Sequence, residues 1–170
     1  PIKYMRFIAA SSTLNYGVQN PNGNAGILIA AQNTFPGLWW IKDMVNNNTQ
    51  HQLVDSVRGG NLALQCPNVG AETAYVAPAG DSVAWCWNYN SADPSGNGFE
   101  IIEQTIADGD STINHQLGAT PDFIISKCAS GVAASTDFRV YHTSVGVGET
   151  LLLGTSEAAS ALGQRVSAVS

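Results

Sequence analysis

The sequence predicts an all-β protein, an antiparallel β-sandwich-like architecture built from two degenerate repeats. Three observations lead there. Short apolar runs are punctuated by turn residues at the spacing of antiparallel sheets, with almost no stretch of helical composition. Residues 82–87, SVAWCW, alternate small with large, which on a strand puts Val83, Trp85 and Trp87 on one face. The chain also repeats its own order. Pro36 and Pro121 are 85 residues apart, as are Lys42 and Lys127; Ser56-Val57 and Ser144-Val145 are 88 apart, and the runs 62–64 and 151–153 are 89 apart. The drift in offset places three extra residues in a loop of the second copy, and internal similarity of this kind governs how the whole fold is read.

In order along the chain, residues 3–9 mix apolar and basic side chains, as an edge strand does. Residues 15–26 are turn chemistry, with Asn20-Pro21 and Asn22-Gly23 as strong punctuators. Residues 26–31, GILIAA, read as a buried strand, and Pro36-Gly37 then break the chain before the apolar run 38–42, LWWIK. Strands are expected at 52–57 and 62–65, on either side of Arg58-Gly59-Gly60. Residues 88–98 are turn-rich and mark the seam between copies. Strands at 99–106 and 113–117 flank a hairpin turn at Asp108-Gly109-Asp110-Ser111, and the second copy follows. Residues 155–161 have helix-friendly composition but are too short and rich in serine to hold a helix alone. The expected division is an N-terminal assembly or attachment segment at 1–34, a first repeat at 35–98 and a second at 99–170, both repeats in one compact domain.

Composition bounds function. The chain has 170 residues, a net charge of -6 and a pI near 4.7, which argues against nucleic-acid binding through phosphate neutralisation. Charged residues make up 12%, about half the usual share of a soluble domain, with Asn, Gln, Ser, Thr and Gly supplying the polarity. The longest apolar run is far below the ~20 residues that span a bilayer, and residues 2–10 are too short and broken for a signal peptide, so a soluble protein without membrane insertion is expected. Cys66, Cys86 and Cys128 lack metal-site spacing and read as small buried apolar side chains.

His51, Asp55 and Ser56 lie within six residues, but catalytic triads draw their members from separate parts of a chain, and no nucleophile-elbow motif is present. Asp55 and Arg58 read instead as a structural turn with Gly59, side chains pinning a bend whose glycine supplies unusual backbone angles. Asp108-Gly109-Asp110 lacks the further ligands of a calcium loop, and His51, His115 and His142 share no metal-ligand spacing. The sequence predicts no catalytic residue, no metal and no cofactor. Its candidate ligand-binding residues are Trp39, Trp40, Trp85 and Trp87, since aromatic faces can stack on sugars; the alternative is a core filled by large rings. Isoleucines 124 and 125 stand where the second copy aligns with Trp39 and Trp40, which favours packing, and strand alternation allows only one of that adjacent pair on a given face.

Several segments carry a resemblance. Trp40-Ile41-Lys42, the run 51–59 (HQLVDSVRG) and Val83-Ala84-Trp85-Cys86-Trp87 in the first half are followed in the second by Asn114-His115-Gln116-Leu117-Gly118, residues 121–127 (PDFIISK), Val140-Tyr141-His142 and the leucines 151–153. This succession resembles a domain of unassigned function that is frequent in tail-fibre and other virion proteins of tailed bacteriophages, marine ones especially. The match spans roughly residues 35–155. It departs from the pattern between Thr73 and Asp81, where a glycine-phenylalanine strand segment is lacking. No counterpart of residues 83–87 follows the second copy before Ser170, which fits a fragment of a longer fibre or a compact single-module version. The resemblance implies a virion structural protein, a tail-fibre or fibre-like module, homo-oligomeric with a trimer as first expectation. It would contact other virion proteins and a host surface glycan. It implies no catalytic residues. The alternatives are a capsid decoration or spike protein and a carbohydrate-binding module.

Overall fold

The computed structural model describes residues 2–9, 16–19, 37–45, 50–68, 70–76, 78, 82–89, 91–106, 112–131, 137–146 and 148–160. The strand expected at 26–31 and the turn at 108–111 lie outside them. Within them the chain is all-β, two antiparallel sheets and a single turn of helix. The strands are β1 (Ile2–Ala9), β2 (Tyr16–Gln19), β3 (Gly37–Asp43), β4 (His51–Asp55), β5 (Leu62–Cys66), β6 (Thr73–Ala74), β7 (Ser82–Asn88), β8 (Phe99–Ile106), β9 (Phe123–Ser130), β10 (Arg139–His142) and β11 (Leu151–Leu152). The helix α1 (Pro94–Asn97) sits inside the turn-rich stretch read as a seam, with Pro94 in its first turn. Asp93 caps it, its Oδ1 accepting from Gly96 N at 3.0 Å.

The six-stranded sheet runs β2-β7-β3-β4-β5-β6 and the five-stranded sheet runs β11-β10-β9-β1-β8. Written from the other edge, the second reads β8-β1-β9-β10-β11. β8 then stands where β2 stands, β1 where β7 stands, and β9-β10-β11 where β3-β4-β5 stand, with every neighbour antiparallel in both.

Alternation decides what each face carries. In β3, Leu38 joins one buried cluster and Trp39 and Ile41 another, on the opposite face. The first cluster draws on both sheets: Leu38, Leu53 and Leu64 from the six-stranded sheet and Met5, Phe7, Ile101 and Ile125 from the five-stranded one, joined by Phe138 just ahead of β10. The second cluster, with Val54, Ala63 and Ala84, covers the other face of the six-stranded sheet. A third, Leu117, Ile124 and Tyr141, covers the other face of the five-stranded sheet. Both sheets are thus apolar on two faces, consistent with a chain only 12% charged.

Three expectations are corrected here. Residues 3–9 form no edge strand: β1 lies between β8 and β9, paired along its length with both. Its Lys3, one of the basic side chains of that stretch, is held by Glu72 and by Glu103 at 3.4 Å, carboxylates distant in sequence. Residues 113–117 form no strand; they pack Leu117 onto Ile124 and Tyr141, and Gln116 N donates to Glu100 Oε2 at 2.7 Å. Within the stretch 15–26 read as turn, residues 16–19 form a strand paired with β7, so residues 2–9 and 16–19 of the expected N-terminal segment are strands of the two sheets.

Lys127 is also internal, 1% exposed, its ammonium 5.6 Å from the centroid of the Phe138 ring. Burial holds it below the usual lysine value, opposed by Cys128 and Asp137. All three cysteines are buried and free. Burial pushes the Cys66 and Cys86 thiols from 9.0 up to about 11. A raised thiol contributes stability that is complete below the unfolded value and lost as pH rises through the folded one. Unfolding free energy is therefore expected to fall between pH 9 and about 11, by on the order of 2–3 kcal/mol per thiol. Denaturant titrations of the wild type against Cys66→Ala/Cys86→Ala over that range check it; the variant should show the shallower fall.

Candidate functional site

The four tryptophans separate by strand alternation. Trp39 is 2% exposed and packed with Ile41, Val54 and Cys86. Trp40 points the other way, registered against Leu53 of β4 and Trp85 of β7. Val83, Trp85 and Trp87 are half-buried while Ser82, Ala84 and Cys86 between them are buried, so the expected common face of β7 is present and is the more open one. Trp87 lies against Phe99 of the other sheet, ring centroids 6.5 Å apart. The structure thus brings Trp40 and Trp85 together, packs Trp40 and Trp87 against the shared core and sends Trp39 to the opposite face.

Between Trp40 and Trp85 stands a residue outside the candidate set. The His51 ring is parallel to that of Trp85, 5° between planes and 6.5 Å between centroids, and edge-on to Trp40 at 6.0 Å and 76°. Trp40 Nε1–H donates to His51 Nδ1 at 2.8 Å. Because Nδ1 accepts, the neutral imidazole carries its proton on Nε2. The result is a half-buried three-ring cluster offering aromatic surface and the His51 Nε2–H as a donor. A sequence signal existed: His51 opens the strand that pairs with the one holding Trp40, and an antiparallel pair brings such positions together.

Protonating His51 requires Nδ1 to give up the indole bond. Its pKa is lowered from 6.5, first by burial and then by the positive charge of Lys42. The neutral ring is the folded form, so its stabilisation is complete above pH 6.5 and is lost as pH falls below that value through the folded one. Tryptophan emission is expected to change below pH 6.5 as the Trp40 bond breaks, and the step should vanish in His51→Phe. A pH titration of fluorescence on both proteins checks it.

The turn residues also meet. Arg58 N donates to Asp55 Oδ1 at 2.9 Å and Arg58 Nε to Oδ2 at 2.6 Å, while Arg58 Nη2 reaches the Leu53 carbonyl at 3.1 Å. Gly59 and Gly60 follow at φ 85° and 75°, which a residue with a Cβ rarely adopts, and Gly60 N donates to the Asp55 carbonyl at 3.0 Å. Arg58 extends further, Nη1 to Glu72 Oε2 at 3.4 Å, and Glu72 meets Lys3. Charges of alternating sign therefore run Asp55, Arg58, Glu72, Lys3, Glu103 from the six-stranded sheet to the five-stranded one. Glu72 N also donates to the Ala129 carbonyl of β9 at 2.9 Å, fastening the loop before β6 to the other sheet.

This geometry leaves no catalytic use for His51 and Asp55 as a pair. They sit at opposite ends of β4, four residues or ~13 Å apart along an extended strand, and each is bonded to a different partner. Among the described residues no three of His, Cys, Asp and Glu converge as metal ligands. No described helix is long and apolar enough to cross a membrane. No family model, no curated protein and no solved structure matches the chain.

Proposed function

We propose that this chain is a virion structural protein of a tailed phage, a tail-fibre or fibre-like module that assembles as a homo-oligomer and contributes to host-surface attachment. The observation that carries the reading is where the resembling segments fall. Trp40-Ile41-Lys42 lies on β3, the run from His51 on β4 and its turn, and Val83 to Trp87 on β7; residues 123–127 lie on β9 and Val140-Tyr141-His142 on β10. β3 and β4 hold the same positions in one sheet as β9 and β10 in the other, which supports a sandwich of two related halves, while the place of β7 is taken by β1. A double-sided apolar build with few charges suits a part that buries surface against identical neighbours.

Immunogold labelling of intact particles tests the reading. Label confined to tails is expected. Label on the head alone would favour a decoration or spike protein, and unlabelled particles would count against any surface role in a virion.

The aromatic cluster favours a second reading, a carbohydrate-binding module. Trp40, His51 and Trp85 supply ring faces and a donor suited to a sugar's apolar face and hydroxyls. Tryptophan emission should respond to a glycan from the host surface and lose that response in Trp85→Ala. Silence across a broad glycan panel would remove this reading and leave the structural one intact.

A further inference from the structure

The position beside β3 in the six-stranded sheet is filled by β7, which comes from the same stretch of chain as β3, β4 and β5. In the five-stranded sheet the corresponding position beside β9 is filled by β1, which precedes every other described strand. After β1 the next described strand is β2, in the other sheet. β1 therefore completes a sheet whose other members begin at Phe99, and in sequence it is joined through residues 10–15, ASSTLN, to β2 of the other sheet.

From this arrangement we infer that the slot between β8 and β9 is an interaction site for a second copy of this chain, which β1 enters from the neighbouring molecule. The slot is specific for that strand. It registers Phe7 between Ile101 and Ile125 and Met5 between Glu103 and Lys127, leaving Met5 0% and Phe7 1% exposed. Its mouth presents two carboxylates, Glu72 and Glu103, to the ammonium of Lys3. Apolar complementarity and charge complementarity thus select the same eight-residue segment.

Exchange reproduces each of these contacts between chains. The closed and exchanged forms share these contacts and differ in which chain supplies β1 and in the entropy of association. High local concentration, as on an assembling particle, favours the exchanged form by mass action. A ring of three chains, each lending its strand to the next, closes without an unpaired slot. The inference gives the proposed homo-oligomer its contact, but the following test reads exchange itself and does not depend on a virion role.

Tyr4 and Cys128 are registered partners on β1 and β9, a pairing close enough for a disulfide. In a background where Cys66 and Cys86 are alanine, one chain carries Tyr4→Cys with Cys128→Ser; a second, size-tagged chain keeps Cys128 and Tyr4. Mixed, refolded together, concentrated and oxidised, these two can bridge at this site only between molecules. A disulfide-linked heterodimer on a non-reducing gel is the expected result, with solution mass by light scattering rising at least twofold over the dilute chain. A chain carrying both Tyr4→Cys and Cys128 serves alongside. If it bridges within itself while the mixture yields no covalent dimer, β1 stays in its own molecule and the inference is overturned. If it bridges neither within nor between chains, β1 does not pair with β9 as the slot requires, and the inference falls as well.

Discussion

Asp55→Ala is expected to cost about 3–5 kcal/mol, the loss that follows when one member of a buried ion pair is removed and its partner stays behind. Asp55 is 0% exposed and the Arg58 side chain 1%. The substitution leaves a guanidinium inside the protein with only Glu72, at 3.4 Å, and the Leu53 carbonyl for company. It also removes the acceptor that fixes Arg58 N ahead of Gly59 and Gly60. Against a typical domain stability of about 5–15 kcal/mol, that loss approaches unfolding. Denaturant unfolding of the variant measures it. Because the pair is out of solvent, the loss should persist at high salt, where an exposed pair would be screened. Asp55→Ala/Arg58→Met should recover much of the stability, since the stranded charge leaves with its partner; no recovery would mean that Asp55 acts mainly through the turn.

The second large effect belongs to β1. Phe7→Ala should destabilise by about 3–5 kcal/mol, the usual range for a large aromatic truncated in a packed core. Phe7 is 1% exposed and lies in the cluster that draws on both sheets, registered against Ile101 on one side and Ile125 on the other. Truncation opens a void in the core shared by the two sheets. Met44→Ala is the matched control, since Met44 is 60% exposed, and should change stability by less than about 0.5 kcal/mol. Thermal or denaturant unfolding of the two variants separates them. A Phe7→Ala protein as stable as the Met44→Ala protein would mean that β1 does not fill the core shared by the two sheets.

The legibility of this fold follows from where its interactions are local. β3, β7 and β9 are readable because each is a short apolar run between turn residues, and β7 shows its two faces by residue size alone. The bend at Arg58-Gly59-Gly60 is readable because its hydrogen bonds join residues at most five apart. β1 is not, since a lysine in a strand looks like an edge charge until Glu72 and Glu103 arrive from about seventy and one hundred residues away. Residues 113–117 mislead for the opposite reason: their apolar side chains suit a strand, but Leu117 is anchored by packing with no ladder. Alternation separates Trp39 from Trp40 in advance, whereas the Trp40–His51 bond depends on the register of a hairpin, which residue types alone leave open.

A place in a virus particle is what we propose for this chain. Its most direct test is mass spectrometry of particles banded on a density gradient from a culture carrying the gene. Peptides of this chain should follow the particle band, at a fixed ratio to the major structural proteins through repeated banding. Peptides confined to the soluble fraction, with none in a band that contains the other particle proteins, would contradict the account.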